Sequence, residues 1–443
     1  MKIKNFRKLA VSEERKKLLK IIEAGLEAID TKKAISSAIK IEKGKLLVHN
    51  HTFSLKNAER IVVVGIGKCS LEAASALEKI LGKRLTGGIV LDVHEGELKK
   101  VQTYTGDHPL MSPRNISATK KIIELLSDLT EKDLVIFVIS GGGSALLCQP
   151  KGFTCMEESA VVDALIHAGA EIHEMNTVRK HLSLARGGFL AKYAYPARVV
   201  SLIFSDVVGN DLEFIASGPT VKDTTTLEQA NGVMEKYKIY EKTELAPLNL
   251  IETPKDSKYF ERVKNILFIS SQTALDAMSE RSLELGYMPR ICRNNLSGEA
   301  RVVAKEIIDE LSKVPTPSEP RILDNQIVGK NKGVVLLYGG ETTVKIKGRG
   351  KGGRNQELSL SGLRHIKDGQ ILISVASDGR DNSENAGGIC DIITKEKAKK
   401  HNLDIEKYLK NNDSFEFFAK TGDFLKTGDT GSNVADIIIA INN

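Results

Sequence analysis

The chain has 443 residues, 41% of them hydrophobic and 27% charged, with a formal net charge of +7. That length exceeds one ordinary core and predicts two domains, and the composition excludes intrinsic disorder. The lysines are dispersed among acids and no basic block is interleaved with aromatics, so nucleic-acid binding is not expected, whereas a mild positive field suits small anions.

Positions 1–30 predict an amphipathic helix, with Leu18, Ile22, Leu26 and Ile29 at helical spacing, and not a signal peptide. No apolar run approaches the roughly twenty residues of a membrane helix. The five cysteines, Cys69, Cys148, Cys155, Cys292 and Cys390, are odd in number and lack CxxC spacing. This argues against a disulfide framework or a zinc ribbon and for a reducing compartment, so the expected location is cytoplasmic.

Short apolar runs then recur, each ending in glycine, serine or aspartate: IVVVGIGK (61–68), LVIFVISGGG (134–143), VVSLIFSD (199–206), ILFISSQ (266–272), VVLLYGGE (334–341) and ILISVASDG (371–379). Stretches of helical period separate them, the alternation of parallel sheets covered by helices. In such sheets ligands collect beyond the carboxyl ends of the strands, so these small and acidic residues mark the expected site. Periodicity is lost over YKIYEKTELAPLNLIETPKDS (237–257) and over a second polar stretch, 313–333. The rhythm restarts at ILFISSQTALDAM, which places the expected boundary at the first and divides the chain into 1–240 and 241–443.

Five constellations carry candidate chemistry. In GIGK (65–68), Lys68 falls where a strand gives way to a helix and offers a point charge to phosphate or carboxylate. The turn meets neither the dinucleotide nor the Walker A spacing, and a plain surface lysine is the alternative. In SGGGSALL (140–147), Ser140 is followed by Gly141, Gly142 and Gly143, whose consecutive N–H groups make a nest for an anion or, alternatively, a tight strand–helix turn. Ser144 lacks the G-x-S-x-G context of a hydrolase nucleophile. In MNTVRKHLSLARGG (175–188), Asn176 and Lys180 share a helical face with Arg179 nearby, and Arg186 follows. Such a group grips a substrate carboxylate or forms a solvated face.

The fourth constellation is acidic: Asp206 and Asp211 in FSDVVGNDLEFIASGPT, Glu341 in YGGETT, and Asp378 and Asp381 in ASDGRDNSENAGG. Strand-end carboxylates hold Mg²⁺ through waters or accept a hydroxyl proton, and they serve equally as caps and turns. The fifth, KGRGKGGRNQELSL (347–360), sets Gly348, Gly350 and Gly353 among Arg349, Lys351 and Arg354 before a helix. Its glycines match G-x-G-x-x-G, yet the preceding TTVKIK alternates like a strand wet on one face, against a dinucleotide fingerprint. A cationic turn at a helix N-terminus favours phosphate; a solvated hairpin or lid is the alternative.

In this order GIGK, SGGGSALL, NTVRKHLS, SDVVGNDLEFIASGPT, GGETTV with GGRNQEL, and TGDTGSNVADIII resemble the glycerate kinases of the MOFRL type, or class II glycerate 2-kinases, along nearly the whole chain. The resemblance implies an α/β fold of two domains, a Rossmann-like α/β/α amino-terminal domain and a smaller α/β carboxyl-terminal domain, with the active site in the cleft. It implies an ATP-dependent phosphotransferase that converts D-glycerate to 2-phosphoglycerate with Mg²⁺ as helper. Lys68 and Arg354 fall on the lysine and arginine linked to activity in that family, and Asp206 is expected to steer the attacking hydroxyl or, with Asp378, to hold magnesium. Glycerate is expected at Lys68, Ser140, Gly141, Gly142, Asn176, Arg179, Lys180 and Arg354. The ATP side is expected at Gly141, Gly142, Gly143, Ser144, Glu341, Gly348, Gly350 and Gly353. The expected partners are D-glycerate and ATP, without nucleic acid or membrane, and a homodimer is admitted. The chain departs from the family's S-D-G-T-D-G-P-T-D run, carrying Asn382 and Ser383 where glycine and proline are common. The rival readings are an NAD(P)H-dependent hydroxypyruvate reductase, which needs a complete dinucleotide fingerprint that neither glycine turn provides, and a non-catalytic sugar-acid or nucleotide sensor.

Overall fold

Runs such as IVVVGI and LVIFVI, buried at every position, are stable only as inner strands of a sheet covered on both faces. In the computed structural model they belong to a six-stranded sheet made of β1 (Ile61–Ile66), β2 (Gly87–Asp92), β3 (Val101–Thr105), β4 (Leu134–Ile139), β5 (Arg198–Phe204) and β6 (Val263–Ile269). The order is β3-β2-β1-β4-β5-β6, and the β1–β2, β2–β3, β1–β4 and β4–β5 pairs are parallel. The order reverses between β1 and β4, which makes their carboxyl ends the switch point of a doubly wound sheet. The structure describes residues 1–207, 209–314, 322–323, 326–327 and 333–442; most of the polar stretch 313–333 therefore lies outside the described residues.

Two compact units divide the chain, Thr31–Phe268 and Met1–Asp30 with Ile269–Asn443. The first contains the parallel sheet and, before it, a small antiparallel meander over 39–54. Val62, Val64, Phe137 and Ile139 centre its core. A satellite core of Val161, Leu165, Val178, Leu182, Met234 and Leu250 lies among the helices Cys155–His167, Ile172–His181 and Leu227–Lys236.

The second unit contains β7 (Met288–Glu299), β8 (Val334–Thr343), β9 (Gln370–Ala376), β10 (Gly387–Asp391), β11 (Phe424–Leu425) and β12 (Asp436–Asn442), in the order β7-β8-β12-β9-β10-β11. Here the expectation of parallel sheets throughout is corrected. Among the described residues of this sheet only β7–β8 is parallel, because the returning β12 inserts between β8 and β9 and pairs antiparallel with both. Ile307, Leu336, Leu358 and Ile438 are among the residues of its core. Among the described residues no helix is long and apolar enough to cross a membrane.

The division of the chain also differs from the expected boundary at 240/241. The irregular 237–257 segment does not leave the first unit: Ile251 N–H donates to the His181 carbonyl at 2.8 Å, and Thr253 Oγ1 donates to Asp223 at 2.8 Å. The chain then adds β6 to the same sheet before it crosses over. The amphipathic helix expected near the N-terminus forms over Glu13–Ala28, capped by Ser12 and burying Leu18, Ile22 and Leu26, and it belongs to the second unit. Arg15 on that helix is fully buried and forks onto Asp391 with two bonds of 2.6 Å, while its third nitrogen reaches Asp423 at 2.7 Å. Replacing Arg15 by Ala strands the buried Asp391 and leaves Asp423 only its pair with Lys397 at 2.8 Å, and is expected to cost about 3–5 kcal/mol of stability; urea unfolding of the variant against the parent protein measures it.

Candidate functional site

The two central strands end in interlocked turns. Ser140 N–H donates to the Ile66 carbonyl at 2.9 Å, Lys68 N–H to the Gly141 carbonyl at 3.0 Å, and Cys69 N–H to Ser140 Oγ at 3.3 Å. Gly67 sits at φ +115°, where a Cβ would lie 2.2 Å from Ser140 Oγ and 2.5 Å from its carbonyl oxygen, so only glycine fits. Gly143 N–H is taken by the Ser140 carbonyl at 3.2 Å, while the N–H groups of Gly141 and Gly142 have no protein acceptor among the described residues. Two amides of the expected nest are therefore available, and Ser140, fully buried, serves the turn itself.

Lys68 reaches over this turn. A Cβ on Gly142 would be 3.2 Å from Lys68 Cε and 3.3 Å from His108 Cδ2, so the ammonium stem and the imidazole converge above bare backbone. Loss of water around the His108 ring and the Lys68 charge push that imidazole down to about 4, leaving it neutral at physiological pH. Asp206, just beyond β5, has its carboxyl raised by burial, with Lys68 opposing the rise. The wall opposite is strained: Ala216 and Ser217 hold φ of +51° and +57°, costly for residues with a side chain. Ala216 lies against Gly143, and Ser217 Oγ is 3.0 Å from Ser144 Oγ.

A cavity of about 500 Å³ opens over these turns, with His108, Gly142, Ser144, Asn176, Arg179 and Asp206 on its wall. Asn176 and Arg179, one turn apart on the helix Ile172–His181, both face it. The Arg179 guanidinium makes no hydrogen bond or ion pair among the described residues, and burial together with the neighbouring Arg186 lowers its pKa. Lys180, expected beside them, is instead buried and bonded to Asp223 and, at 3.1 Å, to Glu213. Successive helical residues point about 100° apart, and here the next position faces an internal acid pair. One wall residue, His108, was absent from the expected site, since it lies in GDHP, a turn outside the strand-end pattern. Arg186, also on the wall, was read with Asn176, Arg179 and Lys180 as a group that grips a carboxylate but was not placed among the glycerate residues.

In the second unit the glycine-rich turn has a different use from the one expected. The N–H groups of Lys347 and Gly348 donate to Asn412 Oδ1 at 2.7 and 3.0 Å, that of Gly350 to the Asn411 carbonyl at 2.8 Å, and that of Lys351 to Asp413 Oδ1 at 3.1 Å. A Cβ on Gly348 or Gly350 would lie 2.3 or 2.4 Å from atoms of that 411–413 segment, and one on Gly353 would lie 2.3 Å from Asp381 Oδ1. Asp381 also occupies the N-terminus of the helix Arg354–Gly362, accepting from the amides of Asn355 at 3.0 Å and Gln356 at 2.8 Å. Gly348, Gly350 and Gly353 are thus corrected from a phosphate nest to a backbone junction. Burial pushes the Asp381 carboxyl up to about 6.

Arg354 spends Nε and Nη2 on Asp436 and reaches Glu341 at 2.7 Å, so Glu341 and Arg354 are brought together. Asp378 accepts the Arg380 amide at 2.9 Å, a turn role. Asp206 lies in the first unit and Asp378 in the second, and among the described residues no group of three or more His, Cys, Asp or Glu is arranged to hold a metal ion.

A parallel sheet with bare amides and a lysine at its switch point defines a doubly wound α/β protein with a ligand site of the usual kind. Residues 17–252 match a family described as a domain of unknown function, DUF4147, and residues 334–436 match the MOFRL family. The glycerate 2-kinase of Pyrococcus horikoshii is 37% identical over 437 residues, covering 96% of each chain. The D-glycerate 2-kinase of Thermotoga maritima is 36% identical, covering 97% of this chain and 99% of its own. A crystal structure of glycerate kinase from Thermotoga maritima matches with a TM-score of 0.82 at 34% identity, over 98% of this chain and 100% of that one. The chain belongs to the MOFRL-type glycerate kinase family. Because Gly67 holds the central turns in register, Gly67→Ala is expected to cost about 1–3 kcal/mol and to depress turnover more than tenfold; thermal melting and steady-state rates on the same sample check both.

Proposed function

We propose that this chain transfers the terminal phosphoryl group of ATP to the 2-hydroxyl of D-glycerate. The observation that carries the reading is the placement of the Lys68 stem over Gly142, beside the free Gly141 and Gly142 amides, with Gly142 on the wall of a cavity also lined by Arg179, which has no ion pair among the described residues. Phosphoryl transfer asks the protein mainly for positioning and for cancelling charge on the moving group. Lys68 and the two amides meet the phosphate oxygens, Ser144 adds a hydroxyl on the same wall, and Asn176 with Arg179 holds glycerate. Asp206, its carboxyl already raised, accepts or orients the proton of the attacking hydroxyl. Arg354, with Nε and Nη2 committed, keeps Nη1 for an anion in its own unit.

Magnesium fits Asp206 only as an ion with one protein carboxylate, the remaining ligands being waters and triphosphate oxygens, a usual arrangement for that cation. When bound it supplies charge neutralisation between the outer phosphates. The five free thiols fit a reducing, cytoplasmic setting. Against the reductase reading, Gly65 inside β1 and Gly67 just after it are followed by Ser70 where a third glycine is needed, and the other glycine turn is filled by its own chain.

Incubation with D-glycerate, Mg²⁺ and either ATP or NAD⁺ separates the readings. ADP and a 2-phosphoglycerate signal by phosphorus NMR are expected; NADH without ADP would reverse the conclusion, and saturable binding without turnover would leave a sensor. Lys68→Met is expected to lower kcat by about a hundredfold or more, the usual loss on removing one charge-stabilising donor, with circular dichroism unchanged.

A further inference from the structure

Among the described residues, four arginines present the same edge of the guanidinium, Nε with Nη2, to both oxygens of one carboxylate. Arg15 does so to Asp391, Arg60 to Asp133, Arg354 to Asp436 and Arg364 to Glu406. This parallel fork is the geometry in which arginine matches two carboxylate oxygens at once. Arg186 breaks the pattern. It is fully buried, and its Nη1 is spent on Glu158 and, at 3.1 Å, on the Arg179 carbonyl. Among the described residues its Nε has no partner, and its Nη2 faces only Met111 Sδ at 3.4 Å. A thioether is a weak acceptor. Arg186, Met111 and Arg179 all lie on the wall of the 500 Å³ cavity.

A buried donor without an acceptor costs free energy unless a ligand supplies one. The charge count points the same way: Glu158, buried, compensates Arg186, which leaves Arg179 beside it without an ion pair among the described residues. Burial and the nearness of Arg186 make that second cation harder to hold. An anion with two planar oxygens satisfies both needs together, since it caps the open fork and neutralises the surplus charge. A neutral hydroxyl oxygen accepts a hydrogen bond but leaves the surplus charge in place.

We propose that the Nε–Nη2 edge of Arg186, seconded by Arg179, is the carboxylate subsite of this cavity and selects a hydroxy acid anion over its neutral analogues. The proposal rests on the reading that the cavity takes glycerate, and it adds Arg186 as the group that reads the acid. The Met111 side chain covers the fork in the absence of substrate and gives way to the incoming carboxylate, a movement suited to an unbranched thioether.

Two variants of the full chain test this. Arg186→Lys keeps a charge for Glu158 and removes the fork. Met111→Glu keeps the arginine and closes its fork with an internal carboxylate, with Met111→Gln as the neutral control. In both Arg186→Lys and Met111→Glu the KM for D-glycerate is expected to rise about tenfold or more, as for loss of a charged hydrogen-bonded pair, with the KM for ATP within about twofold and the Gln control near the parent. Calorimetry without nucleotide should show the parent protein binding D-glycerate and not its neutral amide. Equal binding of acid and amide, an unchanged glycerate KM in the folded variants, or a rise confined to the KM for ATP overturns the proposal. If the parent makes no ADP yet still binds the acid selectively and Met111→Glu abolishes that binding, the kinase reading fails and the subsite stands.

Discussion

No side chain fits between the ends of the two central strands. At Gly67 the turn leaving β1 is pressed so closely on Ser140 that even a methyl group would overlap its hydroxyl and carbonyl. That contact sets the course of the backbone on both sides. Lys68 emerges directly from it with its own amide bonded across to Gly141, and the chain beyond Gly141 must run as bare backbone beneath the lysine stem. Because the strand order reverses at this place, the chains leaving β1 and β4 part in opposite directions and leave a crevice. The placement of cation, free amides and cavity is thus one consequence of sheet topology and one steric limit, and not three separate devices.

Residues of the same kinds have different fates elsewhere, and this marks how far the sequence could be read. The apolar runs and their punctuation are local signals: a strand buried on both faces needs apolar residues at every step, and its end needs small ones, so β1, β4, β5, β8 and β9 were legible. So was the bare backbone at 141 and 142. The turn at 348–353 was not, because a glycine that leaves room for a phosphate and one that leaves room for another piece of chain look alike. What decides between them is Asn411, Asn412 and Asp413, more than 60 residues further on, and an aspartate that takes the helix N-terminus for itself. Lys180 and Arg179 make the same point at the scale of one residue. Helical spacing gives the angle between them but not which face meets Asp223.

The assignment of segments to units was illegible for a related reason. The N-terminal helix was readable as amphipathic, since Leu18, Ile22 and Leu26 repeat at its period, but amphipathicity does not name the surface that will cover the stripe. Here the stripe packs with the helix Ser271–Glu284, Gly25 lying against Met278, and Arg15 finds its carboxylates near position 391 and beyond. The loss of periodicity over 237–257 was real, yet loss of periodicity marks irregular backbone and not departure from a unit. That segment stays because its polar groups are bonded to Asp223 and His181 and Leu250 fills the satellite core.

Charge burial follows one rule within each unit, and the cavity wall is where it lapses. Burying an arginine is tolerable when its fork meets a carboxylate and severe when it does not, and elsewhere this rule is obeyed: Arg15 with two aspartates, the half-buried Arg354 with Asp436 and Glu341, Lys180 with its acid pair. A sequence that satisfies its buried cations so consistently has the means to satisfy Arg186 and Arg179 as well; an aspartate or glutamate at Met111 would suffice. Local conflict of this kind, maintained against the pattern of the rest of the molecule, concentrates where a protein holds something other than itself. The strained Ala216 and Ser217, on the same cavity wall or next to it, are a second conflict at the same place. Two independent departures from what packing alone would favour, one electrostatic and one conformational, thus coincide over the switch point of the sheet, where the topology by itself already directs a ligand.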